Sequence, residues 1–166
     1  MSRASSLVLL GLWLGLLAFS WVMAGASFRT AEASSAGGET AARLGAVPEA
    51  ERRMVFRSLA ADWNRSMFRA RSAAEVVLGL ALLALVFRRG GAAVPLSALA
   101  LGLALLQGVW LGPAMEAFSR PLDFVPRPLP GEAARHFGLL HGAYLFIDLG
   151  KAVLAVVLAW LLVRPA

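Results

Sequence analysis

The chain has 166 residues, 59% of them hydrophobic and only 16% charged, with a formal net charge of +6. So apolar a chain cannot cover a water-exposed surface in the usual way, which argues against a soluble domain and for a single integral membrane domain. It has no Cys, which excludes disulfides, thiol catalysis and thiolate metal sites.

All but one of the sixteen basic residues are Arg, the exception being Lys151. A pI near 11.4 would point to nucleic acid in a soluble protein. Here the arginines flank apolar stretches, so membrane lipids are the expected partners and nucleic acid is not. The heavy use of Ala, Gly, Leu and Arg suits a GC-rich bacterial genome, so the expected location is a bacterial inner membrane.

A bilayer core of about 30 Å needs about 20 apolar residues in a helix. The first candidate span, Leu7 to Phe28, carries no charge. With Arg3 before it and Ala24-Gly25-Ala26 near its end, it also has the parts of a cleaved signal peptide. Its apolar core exceeds the usual ~7–15 residues of such a peptide, so a retained span is the preferred reading. Arg29 to Val47 is rich in Ala, Ser, Gly and Glu and reads as a flexible loop.

Pro48 then suits the first turn of a helix. Over residues 48–71, Phe56, Leu59, Trp63, Met67 and Ala70 share one helical face, with Arg57, Arg65 and Arg69 off it. This predicts an amphipathic helix at the bilayer surface, with Arg57, Arg65, Arg69 and Arg71 against lipid headgroups. Packing of the apolar face on the bundle is the other open reading. Asn64-Arg65-Ser66 matches a glycosylation sequon, which is discounted in a bacterial protein.

The second span is Ser72 to Phe87, its helix expected to continue backwards into the amphipathic segment, and Arg88 to Gly91 (RRGG) makes a tight turn. The third runs from Val94 to Gly112, where Pro113 is expected to end the helix. Pro113 to Arg135 contains five prolines and reads as semi-extended. The fourth span is Phe137 to Val163. The pairs Gly11/Gly15, Gly108/Gly112 and Gly138/Gly142 form GxxxG spacings, which permit close helix approach. Counting Lys and Arg places the long loops in the cytoplasm, whereas Arg3 before the first span favours the opposite. Orientation therefore stays open.

The fourth span carries the chemistry. His141, Tyr144, Asp148 and Lys151 fall within about 80° of arc on one helix face. Asp148 and Lys151 are i,i+3 neighbours that can pair. Each charge at a span centre costs roughly 2.5–3.5 kcal/mol, so this stripe must face protein or trapped water. Glu75 and Gln107 reach similar depth and, with His141, are candidates for one polar layer. Two readings remain for these residues: a ligand or proton-relay site, or a neutralising strut. For Glu75 the structural alternative is an interfacial ion pair with Arg71. For Gln107 it is an interhelical hydrogen bond.

No HExxH, Walker or GxSxG motif occurs. Two His and no Cys argue against a dedicated metal site, and no cofactor is expected. His136 lies about 140° round the helix from His141, so the two cannot ligate one haem from a single helix.

The segment "RHFGLLHGAYLFIDL" (Arg135 to Leu149) resembles the fourth helix of the transmembrane protein 205-like family of small four-helix membrane proteins, some of them bacterial. His141 and Gly142 match its pattern. Tyr144 stands where Ser is usual and Asp148 where Asn is usual. "VFRSLAADWNRSMF" is similar to the family's entry into the second helix, and "LGPAMEAFSR" to the exit from the third. The resemblance covers most of the chain in order. It implies four spans and a surface helix after the first, but no activity.

These readings predict an all-α integral membrane protein: four transmembrane helices in an antiparallel bundle, with an amphipathic interfacial helix before the second span. The expected function is non-enzymatic, built on a polar intramembrane site or helix-pairing stripe, with a membrane-protein partner or a second copy as a further partner. The alternatives are a redox or enzyme subunit using His141, and a transporter or proton relay using Asp148 and Lys151. A transporter often shows internal repeats, and none is found.

Overall fold

A computed structural model describes residues 3–88 and 90–164. Among these, every regular element is helical: α1 (Arg3–Ala36), α2 (Gly38–Arg43), α3 (Glu49–Phe87), α4 (Ala93–Leu105), a π-helical stretch (Leu106–Leu111), α5 (Gly112–Ser119), a 3-10 turn (Arg120–Leu122) and α6 (Gly131–Val163). Four helices are long and apolar enough to cross a membrane: α1, α3, the run Ala93–Leu122 and α6.

Helix α1 continues eight residues past Phe28, so most of the expected loop over 29–47 is helical instead. Its Ala and Glu are strong helix formers, and Ala31 and Ser35 are buried. Arg52 then ties the connection down, donating to the Ser35 carbonyl at 3.2 Å and the Val47 carbonyl at 2.6 Å. The chain breaks between α1 and α2 at Gly37-Gly38, where Gly38 takes a φ of 80°.

Helix α3 begins after Pro48 and runs unbroken for 39 residues, about 58 Å at 1.5 Å per residue. The amphipathic segment and the second span are therefore one continuous helix, as expected from the sequence. Its apolar stripe is only partly packed on the bundle: Leu59 is 58% and Trp63 56% exposed, whereas Phe56 and Met67 are half-buried. The face turned inward carries Ser58, Ala60, Asn64 and Arg71, and Asn64 donates to Ser27 Oγ on α1 at 2.9 Å.

The turn after α3 uses Gly90 and Gly91, both at positive φ, where a side chain would be strained. Arg89 of that turn lies outside the described residues.

Pro113 does not end the third helix, contrary to expectation. The preceding turn widens to π geometry, and the Gly112 N–H donates to the Gln107 carbonyl, five residues back. A π-turn is one of the local adjustments that let a helix accommodate an interruption. The helix then continues to Ser119. Only residues 123–130 remain irregular before α6, which starts at Gly131, earlier than the expected 137.

The four long helices pack in a ring, α1 and α4 each lying against both α3 and α6. One end of the ring is filled by Leu10, Trp13, Leu17, Leu82, Val86 and Leu158. The close approach that fits this end together is at Gly79, where an added Cβ would lie 3.0 Å from Leu101 Cδ1 and 3.1 Å from the Trp13 ring. Gly108 of the GxxxG pairs also permits close packing, its added Cβ meeting Ser72 Cβ at 3.1 Å. Gly11, Gly15, Gly138 and Gly142 have open space instead, so their spacing does not pack helices within this chain.

Candidate functional site

Midway along the ring the four long helices meet at an ion-pair network. It contains Arg71 and Glu75 from α3, Gln107 from the π stretch, and Tyr144, Asp148 and Lys151 from α6. Helix α1 adds Ser20 and Trp21. Arg71, Glu75, Gln107, Asp148 and Lys151 are each at most 2% exposed.

Asp148 is the hub. Arg71 grips it as a fork, Nη1 donating to Oδ2 and Nη2 to Oδ1, both at 2.9 Å. Trp21 Nε1 donates to Oδ2 at 3.0 Å and Gln107 Nε2 to Oδ1 at 2.8 Å. Lys151 Nζ stands 3.1 Å from Oδ1. The same Arg71 donates to Ser20 Oγ at 2.9 Å and to the Tyr144 hydroxyl at 3.0 Å. Its guanidinium lies 5.1 Å from the Phe68 ring centroid and 5.3 Å from that of Tyr144. These are cation–π contacts in a desolvated setting.

Lys151 closes the other side, donating to Glu75 Oε2 and Gln107 Oε1. Glu75 Oε1 has no hydrogen bond, and its nearest cation is Arg71 Nε at 3.4 Å. Two cations and two carboxylates thus neutralise one another around one amide. Burying four charges is tolerable only when every one is paired.

This placement revises several expectations. Arg71 is not at lipid headgroups; it is a buried member of the network, because Asp148 and Glu75 need a second cation beyond Lys151. Its pair with Glu75 lies in the core, not at an interface. Arg65 is also drawn inward, its side chain 9% exposed and paired with Asp123 at 2.6 Å and Asp62 at 2.8 Å. Arg69 stays exposed, 3.5 Å from Glu116. Gln107 makes interhelical hydrogen bonds, including one to the Tyr144 carbonyl at 3.2 Å.

His141 does not join Glu75 and Gln107 in a layer. It is exposed and stacks on Phe137 at 5.8 Å, because no neighbouring side chain covers the α6 face at that level. Sequence reasoning missed Ser20 and Trp21, which lie in a span with no charge. Trp21 is 40% exposed, so only its indole N–H, not its ring, belongs to the network.

Outside the network, ion pairs fix the segment after α5. Arg65 holds both Asp62 and Asp123, and its hydrogen bond to Asp123 raises its already high pKa. The Arg65 hydrogen bond keeps the Asp62 carboxyl below its usual range, and the Arg120 hydrogen bond does the same for Glu116.

Above Asp148, toward the long connections, opens a cavity of about 470 Å³. Asp148, Tyr144 and Trp21 border its inner end. Phe28, Phe68 and Phe137 line its walls, with His141 beside them, and Arg57 and Arg127 line it too. A second cavity of about 330 Å³ lies across Phe68 and Tyr144, between α3 and α5. Lys151 and Glu75 line neither.

No family model, curated protein or solved structure matches the chain.

Proposed function

We propose that this is a non-enzymatic, four-span membrane protein that binds a small molecule in the cavity above Asp148. The spans alternate in direction as an antiparallel bundle, and the exposed stripe with Leu59 and Trp63 contacts lipid. The observation that carries this reading is the meeting of cavity and network at Asp148 and Tyr144. The network makes a rigid floor that all four long helices share. A volume of about 470 Å³ is within the ~300–1,000 Å³ of small-molecule sites.

Binding is favoured over catalysis because the polar groups at the floor are committed to one another. Asp148 accepts four hydrogen bonds and a further ion pair, so it offers no free general base. A proton relay through Lys151 is disfavoured because neither flanking cavity reaches it. The chain departs from the pattern of the transmembrane protein 205-like family at this site, so the proposal rests on the cavity and not on that resemblance. Asp replaces the usual Asn where Arg71 and Lys151 both supply positive charge.

The test is extraction of the protein in mild detergent and mass spectrometry of what accompanies it. A stoichiometric small molecule is expected, and Ala24→Phe, which narrows the cavity, should displace it while keeping the helical fold, with thermal stability falling by no more than the lost ligand contributes. Equal retention by wild type and variant contradicts the reading, as does a wild type that carries and binds nothing.

A further inference from the structure

The two arginines that line the cavity differ from the ion-paired arginines of the chain. Arg43, Arg53, Arg65, Arg69 and Arg120 are each paired with a carboxylate. Among the described residues, Arg57 and Arg127 have no carboxylate within ion-pair distance and donate no hydrogen bond, yet both line one cavity. Burial first, and then the nearby Arg57 charge, pull the Arg127 pKa below its ordinary value. Asp123 offsets this only in part, and Arg127 is exposed at the cavity mouth, so the residual repulsion between the two guanidinium groups is modest and screened by solvent. An anion between them removes that penalty, and guanidinium forks match carboxylate and phosphate geometry.

The rest of the cavity asks for something different. Its walls are aromatic and aliphatic, with Trp21, Phe28, Phe68, Phe137 and Leu145. Arg57 precedes Arg71 by fourteen residues on α3, so its backbone lies about 21 Å along the helix from that of Arg71, and its side chain enters the cavity from the end away from Asp148. Asp148 itself is saturated, so the inner end offers a ligand ring faces, not a free charge. One end is cationic, and a long apolar path leads away from it.

We infer that the cavity takes a single-chain amphiphile with an anionic head, a carboxylate or phosphate monoester. The head lies between Arg57 and Arg127, and the chain runs along the aromatic walls toward Trp21 and Tyr144. This inference rests on the ligand-binding reading above and specifies the ligand's chemistry.

The test uses the full chain in an uncharged detergent and follows tryptophan quenching by chain-brominated palmitate. The expected result is saturable quenching that Ala24→Phe abolishes. The methyl ester of the same chain, which lacks the charge, should bind at least about tenfold more weakly, a difference of about 1.4 kcal/mol. Arg57→Gln combined with Arg127→Gln should weaken palmitate by a similar factor and leave the ester unchanged. Arg43→Gln, remote from the cavity and equally cationic, should change neither. An unbrominated lysophosphatidate should relieve the quenching by brominated palmitate, whereas inorganic phosphate alone should not.

Equal binding of acid and ester would overturn the anionic head while leaving a ligand cavity in place. Displacement of palmitate by inorganic phosphate would overturn the amphiphile in favour of a free anion. Absence of saturable quenching by any chain would overturn the amphiphile altogether, and the mass-spectrometric test then decides separately whether the cavity binds another small molecule. The ester comparison uses the unaltered protein, so it stands even if the double variant folds poorly.

Discussion

Helix α6 has two halves that share one face by helix geometry but meet different surroundings. From Tyr144 onward, Tyr144, Asp148, Lys151, Ala155, Leu158 and Leu162 are all buried. From Gly131 to Ala143 no residue is buried, and His141, one turn before Tyr144, is exposed. The inner half is sealed by charges that neutralise one another and by close contacts such as Gly79 against Trp13. The outer half borders an open cavity. Helical spacing identifies a face; whether that face is covered depends on what the other helices bring to that level.

The contrast can be broken most forcefully at Arg71. Arg71→Met leaves one buried cation against two carboxylates, and removing one partner of a buried pair costs about 3–5 kcal/mol. In the outer half, His141→Ala should stay within about 0.5 kcal/mol of wild type. Detergent-based unfolding of both variants reads the difference, and similar losses would erase the distinction between the halves.

Glycines sharpen the same comparison at smaller scale. Gly79→Ala forces a methyl to within 3.1 Å of Trp13, and overpacking of this kind costs about 1–3 kcal/mol. Gly138→Ala has open space around it and should stabilise by up to about 1 kcal/mol through helix propensity. Thermal unfolding in one detergent should move the two variants in opposite directions.

At the outer ion pairs the expected effects are of similar size or smaller. Arg65→Gln removes charged hydrogen bonds to Asp123 and Asp62, costing about 2 kcal/mol, and should speed proteolysis within residues 120–130. Unchanged cleavage there would deny Arg65 its anchoring role. The smallest effect is on pH. Asp62 and Glu116 have folded-state pKa values held below the unfolded ones. Their stabilisation is therefore present at neutral pH and is lost as pH falls through the folded values, below the ordinary carboxylate range. Solvent screening keeps it small, so unfolding midpoints between pH 7 and 5 should be level and should drop only at stronger acidity. A drop already complete at pH 5 would contradict that assignment.

Much of this was legible from residue order. Apolar length marked the four candidate spans, and the spacing of Tyr144, Asp148 and Lys151 marked the inward stripe. Glu75 and Gln107 were legible by depth alone. Arg71 was misplaced because its neighbours Arg65 and Arg69 suggest a lipid-facing row, while its true partner, Asp148, lies 77 residues away. Trp21 was missed because an aromatic in an uncharged span reads as membrane-facing. Pro113 misled because a π-turn, which depends on Gly112 approaching the Gln107 carbonyl, has no simple sequence signature. The Ala-rich stretch after Phe28 looked like linker by composition, though its helix propensity was the stronger signal.

The central claim is that Asp148 and Arg71 form the core pair of a closed, electroneutral network. It is tested most directly by comparing unfolding free energies of Asp148→Asn, Arg71→Met and the double variant in one detergent. The double variant restores charge balance through Lys151 and Glu75, so it should be more stable than either single variant. If the two losses simply add, the pair is not coupled and the network is not the lock that holds the four helices together.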